Sequence, residues 1–264
     1  MRPILFSFLG IHVQSYGLSK ALAALLAAWL LGRTFRRAGL KDDDAYSLVI
    51  WATIWGFVGG KIYFLLEHTD QLSWHHLGGA GFTWYGGLVG GVAAFLVIIR
   101  RRHLPAAFVL DAAAIPLTLA YGVGRIGCWL AGDGTYGKPT SLPWGEAFPN
   151  GVVPTDVPVH PTPLYEFLAA LVIAAVLWAL QRRTRPPLEI LGAYLILSGI
   201  SRFLVEILRI NTPALFGLTQ PQLWGLASVI TGAAIIVNGR RRARRTVPAD
   251  ATMPPPQAET LVEA

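Results

Sequence analysis

Apolar residues come along this chain in long blocks separated by short polar segments. Seven blocks stand out, at residues 17–35, 45–66, 83–100, 108–131, 163–181, 188–207 and 221–238. A helix that crosses a bilayer needs roughly 20 mostly apolar residues. Each block therefore predicts a spanning helix, and the predicted fold class is all-α, a polytopic integral membrane protein with about seven transmembrane helices. One long polar connection, about 132–162, separates the fourth and fifth blocks. Residues 1–239 read as the membrane domain, and 240–264, basic and then rich in Pro and Ala, as a tail expected to be disordered.

Charge orients these spans. Fifteen Lys and Arg follow the first, third, fifth and seventh blocks: Arg33, Arg36, Arg37 and Lys41; Arg100, Arg101 and Arg102; Arg182, Arg183 and Arg185; Arg240, Arg241, Arg242, Arg244 and Arg245. The opposite side carries three, Arg2, Lys138 and Arg209. Cytoplasmic loops hold the excess of basic residues, which predicts an N-out, C-in chain. The 132–162 connection, with Asp133, Lys138, Glu146, Asp156 and His160, then lies outside.

Composition agrees with this reading. The chain is 53% hydrophobic and 14% charged, with a mean hydropathy of +0.49, against ~45–50% and ~25% in soluble domains. A net charge of +7 raises the question of nucleic acid. The basic residues nevertheless sit in short clusters between apolar runs, so nucleic acid is excluded as a partner. The single cysteine, Cys128, excludes an internal disulfide and a multi-cysteine metal site. No cleavable signal peptide and no C-terminal lipidation box are expected.

Lys20, Lys61, Arg125 and Arg202 lie inside spans. Arg125 is set in Gly122-Val-Gly-Arg-Ile-Gly-Cys128, roughly 10 Å below the outer boundary at 1.5 Å per residue. An ionisable residue at such a depth is costly and usually marks function. Other polar residues fall on the same level: Tyr16, Tyr85, His160, Tyr165, Glu166, and Arg202, Glu206 and Arg209 on one face of the sixth span. Lys61 is placed to join them, whereas Asp111 falls near the inner end of the fourth span. The arginines could pair with Asp133 or Glu206 to lock helices, or snorkel to headgroups. Alternatively they form a clamp for an anionic headgroup, since guanidinium matches phosphate geometry.

Lesser motifs sharpen the picture. Gly56-x-x-x-Gly60, Gly86-x-x-x-Gly90 and Gly87-x-x-x-Gly91 predict closely packed helices. Gly122-x-Gly124-x-x-Gly127 matches a dinucleotide fingerprint by letter, but no strand precedes it and it lies within a span. In His160-Pro-Thr-Pro-Leu-Tyr-Glu166, Thr162 is expected to cap the fifth helix, with Pro163 at its first position. His160 is either a solvated loop residue or a titratable base. Cys128 is either a small packing residue or a thiol activated by Arg125. Trp74, Trp84 and Trp144 suit a membrane interface.

Five ordered blocks carry a family resemblance: His12-Val-Gln-Ser-Tyr-Gly17, Trp84-Tyr-Gly-Gly-Leu-Val-Gly90, Gly124-Arg-Ile-Gly127 with its following Gly-Asp, His160-Pro-Thr-Pro-Leu-Tyr-Glu166, and Arg202-Phe-Leu-Val-Glu-Ile-Leu-Arg209. Over about residues 10 to 238 the chain resembles the bacterial prolipoprotein diacylglyceryl transferases. The resemblance implies an enzyme of the bacterial inner membrane, working at the outer leaflet. It would move the diacylglyceryl group of phosphatidylglycerol to the lipobox cysteine of a prolipoprotein signal peptide, forming a thioether and releasing glycerol phosphate. No metal or soluble cofactor is implied.

Position by position, the resemblance makes Arg125 and Arg202 catalytic, holding the phosphate and charge on the leaving group. It assigns Tyr16, Asp133, Tyr165, Glu166, Glu206 and Arg209 to substrate binding and orientation. This chain departs from the pattern at Tyr85, where the family has His, at Cys128 for Asn, at Asp133 for Glu, and at Ser198 for Tyr. If a base must generate the thiolate, His160 or Asp133 would have to supply it, or Tyr85 shifted by an arginine. Two other readings stay open: a non-catalytic relative that binds anionic lipid, and a transporter, which would instead place its polar groups near the midplane.

Overall fold

The computed structural model describes residues 2–8, 11–69 and 82–246. Among the described residues there are seven helices: α1 (Ser15–Arg37), α2 (Asp42–Glu67), α3 (Trp84–Arg101), α4 (Ala106–Ala131), α5 (Thr162–Gln181), α6 (Glu189–Glu206) and α7 (Gln220–Thr246). Each coincides with one of the seven apolar blocks. Six are long and apolar enough to cross a membrane. The remaining one, α6, holds Glu189, Arg202 and Glu206 within its 18 residues. Large apolar side chains such as Leu25, Val89, Val172 and Ile230 face outward. That is the surface a lipid environment requires, and the chain is a polytopic membrane protein.

Three antiparallel hairpins, none of them apparent in the hydrophobic pattern, sit outside the helices. They are β1 (Ile4–Phe8) with β2 (Ile11–Gln14), β3 (Glu146–Phe148) with β4 (Thr155–Val159), and β5 (Pro213–Leu215) with β6 (Leu218–Thr219). The long connection is thus partly ordered by β3 and β4, paired as Glu146 with Val159 and Phe148 with Thr155.

The small-residue repeats act as the sequence suggests. A Cβ on Gly86 would fall 2.3 Å from the Gly59 carbonyl oxygen, so α2 and α3 touch backbone to backbone. The same contact joins α6 to α7 at Gly199, where a Cβ would lie 2.5 Å from the Gly225 carbonyl. Apolar packing is densest toward the basic ends of the helices. There Leu31, Phe35, Leu48, Ile99 and Val109 form one cluster, and Ala114, Ile173, Leu177 and Ile190 another.

Asp111 finds its explanation here. Its carboxylate accepts hydrogen bonds from the amides of Leu188 and Leu191, both at 2.8 Å, and so satisfies the open first turn of α6. Glu189, buried beside it, pairs with Arg185 at 2.6 Å and with Arg240 at 2.8 Å. Helix α7 runs on through the basic residues to Thr246; residues 247–264 lie outside the described residues, as does Trp74. Asp111→Ala is expected to destabilise the protein by ~1–2 kcal/mol, the range for losing a helix N-cap. Thermal melting in detergent checks this, and Asp111→Asn should recover part of the loss.

Candidate active site

Four charged side chains from three neighbouring helices, with Arg209 just past the end of α6, form one chain of alternating sign. Tyr121 and Arg125 lie one turn apart on α4, and the guanidinium sits 4.9 Å from the centre of the Tyr121 ring. Across from them on α5, Glu166 is 2% exposed. Its Oε1 accepts from the Tyr121 hydroxyl at 2.6 Å and from Arg202 Nη1 at 3.3 Å. Its Oε2 lies 3.1 Å from Arg125 Nε. On α6, Arg202 Nη2 reaches Glu206 Oε2 at 2.7 Å, and Arg209 Nε stands 3.8 Å from the same oxygen.

Accessibility separates the two kinds of charge. The Glu166 and Glu206 side chains are 2% and 0% exposed, whereas Arg125 and Arg202 keep 17% and 24%. The carboxylates hold one edge of each guanidinium, and the remaining N–H groups stay within reach of a ligand. Three arginines against two glutamates leave a net positive charge. Burial and the nearby Arg202 charge lower the Arg209 pKa from its ordinary value.

Glu206 is also held by neutral partners. Its Oε1 accepts from Asn211 Nδ2 and from Thr219 Oγ1 at 3.0 Å. Thr219 and Gln222 in turn form a reciprocal cap on α7: Gln222 Oε1 accepts from the Thr219 amide at 3.0 Å, and Thr219 Oγ1 from the Gln222 amide at 3.4 Å. The start of α7 is thereby tied to the arginines. The sixth span ends where expected, which leaves Arg209 outside the helix. Helix α6 stops at Glu206, and the Arg209 amide donates to the Glu206 carbonyl in a tight turn. Beyond that turn Arg209 bridges to Gly137, and Lys138 Nζ donates to the Ile207 carbonyl at 2.9 Å. The 132–162 connection therefore clamps the end of α6.

The cap predicted for α5 is corrected. Thr162 is the first helical residue rather than the cap. Its hydroxyl donates to the Thr135 carbonyl at 2.6 Å, which draws it away from the helix end. Proline does stand at the helix start, as expected. Asp133 accepts from the Thr135 amide at 3.1 Å and hydroxyl at 2.6 Å, so Arg125 takes Glu166 as its partner instead of Asp133 or Glu206.

A second layer borders the arginines. Tyr16 lies within electrostatic reach of Cys128, Asp133 and Arg125. Tyr85 packs against Trp224 of α7 at 5.8 Å between ring centres and lies within reach of Arg202 and Glu206. Lys61 is set over the rings of Phe64 and Phe82. His160 and Tyr165 form a separate group: Tyr165 Oη accepts from Trp144 Nε1 at 2.8 Å and lies 3.3 Å from His160 Nδ1. Among the described residues no hydrogen bond or ion pair joins that group to the arginines. Glu166 and Tyr165 are adjacent in sequence and so leave α5 about 100° apart, one inward and one toward an apolar groove with Trp144, Leu164 and Leu168.

The same chain of residues is covered by a family match. Residues 3–238, which include every element that supplies the site, match the family described as prolipoprotein diacylglyceryl transferase. The chain belongs to this family. A relative from Clostridium tetani is 32% identical over 215 residues, covering 79% of this chain and 86% of its own length. One from Marinomonas sp. is 32% identical over 252 residues, covering 90% and 92%. One from Rhodospirillum rubrum is 29% identical over 270 residues, covering 93% and 95%. All three bear the name phosphatidylglycerol–prolipoprotein diacylglyceryl transferase. Within this member of the family, sequence reasoning missed Tyr121, Asn211, Thr219 and Gln222. Tyr121 was legible, since it stands four residues before Arg125 on one helical face. The pattern Thr219-x-x-Gln222 before an apolar run is also a capping signature.

Proposed function

We propose that this chain transfers the diacylglyceryl group of phosphatidylglycerol to the lipobox cysteine of prolipoproteins. The observation that carries the reading is the Arg125–Glu166–Arg202–Glu206–Arg209 chain, with its buried carboxylates, accessible guanidiniums and surplus positive charge. It is what an enzyme needs in order to hold a phosphodiester and stabilise charge on departing glycerol phosphate. The acceptor sulfur forms a C–S bond to the glyceryl carbon that carries the phosphate. The C–O bond breaks, and its electron pair leaves with glycerol phosphate. Arg125 and Arg202 hold the phosphate, Glu166 and Glu206 fix the two arginines, and Tyr16, Asp133 and Arg209 border the donor. Tyr85, close to Arg202, relays the thiol proton toward solvent. His160 and Tyr165, on the separate outer group, guide the acceptor peptide. Tyr85→Phe is expected to lower kcat on the order of 10²-fold, the scale of a lost proton-transfer group.

All seven helices span the inner membrane of a bacterium, N-out and C-in, and the site faces the outer leaflet. Residues 1–239 constitute the transferase domain. The 15-to-3 split of basic residues supports this orientation. It is checked by thiol labelling in a Cys128→Ser background: Ser141→Cys should react with an impermeant reagent added outside intact cells, and Ala38→Cys only after permeabilisation. The reversed pattern would overturn the orientation.

The function itself is tested by complementation. In a bacterium depleted of its own transferase, expression of this chain should restore growth and diacylglyceryl-modified lipoproteins, and the Arg125→Ala variant should not. Accumulation of unmodified prolipoprotein with the wild-type chain present at normal levels would contradict it. A transporter is disfavoured by the arginines' fixed pairing at one end of the helices.

A further inference from the structure

Lys20 is an intramembrane cation to which the proposed chemistry has so far given no task. It stands one turn after Tyr16 on α1, and its ammonium lies 4.9 Å from the centre of the Tyr16 ring. The side chain reaches toward α4 into the space that Gly124 leaves open: a Cβ on that glycine would fall 3.1 Å from Lys20 Nζ. Gly124 immediately precedes Arg125. Cys128, one turn further along α4, lies within electrostatic reach of both Lys20 and Arg125.

Among the described residues no carboxylate forms an ion pair with the Lys20 ammonium. The acids at this level are already taken: Glu166 and Glu206 by arginines, and Asp133 by the Thr135 amide and hydroxyl. A cation inside a span almost always faces a partner or a substrate path. Charge arithmetic indicates which anion is missing. The three arginines and two glutamates leave one positive charge, which matches the single negative charge of a phosphodiester. When the C–O bond breaks, the departing phosphate becomes a monoester and gains a second negative charge.

Resting on the transferase reading above, we propose that Lys20 binds the phosphate of the departing glycerol phosphate and takes up the charge that develops on it as the C–O bond breaks. The bond that forms is C–S and the bond that breaks is C–O. The electron pair goes to the phosphate oxygen that Lys20 and Arg125 face. An interaction that strengthens only as this charge appears raises kcat and leaves donor affinity largely unchanged.

The test compares wild type with Lys20→Met and Lys20→Arg in detergent, using phosphatidylglycerol and a lipobox peptide, with glycerol phosphate as product inhibitor. Lys20→Met should lower kcat about 10²-fold, with little change in KM for phosphatidylglycerol. Inhibition by glycerol phosphate should weaken about tenfold, while inorganic phosphate, which lacks the glyceryl group, should remain a weak inhibitor of both. Lys20→Arg should keep a substantial part of kcat. The melting temperature of Lys20→Met should not fall, since methionine suits an apolar span. Unchanged kcat and unchanged glycerol phosphate inhibition in Lys20→Met would overturn the proposal, as would a loss of activity that follows a loss of thermal stability. If wild type itself transfers nothing, the transferase reading fails. Lys20 is then judged by equilibrium dialysis of glycerol phosphate alone, where equal binding by wild type and Lys20→Met overturns its role.

Discussion

Arg202→Ala should reduce kcat/KM for diacylglyceryl transfer by at least ~10²–10³-fold, the cost of removing one group that stabilises developing negative charge. The reason lies in its position in the chain of charges. Among the described residues Arg202 is the only arginine that touches both carboxylates of the site, Glu166 at 3.3 Å and Glu206 at 2.7 Å. Removing it takes away a phosphate ligand and also leaves both acids with less compensation. Arg202→Lys keeps the charge, but an ammonium cannot reproduce two directed contacts from a planar fork, so it should recover little activity. Steady-state kinetics with phosphatidylglycerol and a lipobox peptide, alongside thermal melting, separate the chemical from the structural part. A variant that melts like wild type and still transfers at a comparable rate would remove Arg202 from the chemistry.

Glu166→Ala is expected to have the largest effect on stability. Glu166 is 2% exposed and serves three partners, Tyr121, Arg125 and Arg202, from two other helices. Deleting one member of a buried charge network leaves its partners uncompensated and typically costs about 3–5 kcal/mol. Helices α4, α5 and α6 lose their common polar contact: Arg125 loses the carboxylate it pairs with, and Arg202 keeps only Glu206. A marked fall in melting temperature and no measurable transfer are expected. Glu166→Gln, which keeps the shape and the hydrogen bond from Tyr121 but not the charge, should lie between wild type and Glu166→Ala on both measures. A Glu166→Ala protein as stable as wild type would show that this carboxylate does not organise the arginines.

Most of the helical frame was legible because bilayer spans impose a long, nearly uninterrupted apolar signal. The six helices that cross by length and composition and the charged α6 all lie where the blocks predict them. The hairpins were not legible. Their strands are two to five residues long and follow no sustained alternation, so turn and tertiary contacts decide them. Arg209 illustrates the same limit: its spacing from Arg202 suits one helix face, yet it lies three residues past the end of α6, bridged to Gly137. For the candidate site, the level of Arg125, Glu166, Arg202 and Glu206 followed from span depth alone. Which acid pairs with which arginine did not, because it depends on how α4, α5 and α6 are rotated against each other. His160 and Tyr165 were expected on that level beside the arginines, but a one-residue step around α5 turns Tyr165 to the other side of the helix from Glu166.

The measurement that bears hardest on the transferase reading follows the donor's glyceryl carbons. Purified protein is given phosphatidylglycerol labelled with ¹³C in the diacylated glycerol and, separately, in the headgroup glycerol, together with a lipobox peptide, and the peptide cysteine is read by mass spectrometry. A diacylglyceryl increment on the cysteine sulfur that carries only the diacylated-glycerol label, with the headgroup label recovered in free glycerol phosphate, is the predicted result. It should disappear in Arg125→Ala and Arg202→Ala. An unmodified cysteine, with a relative from the same family active in the parallel reaction, would contradict the assigned chemistry.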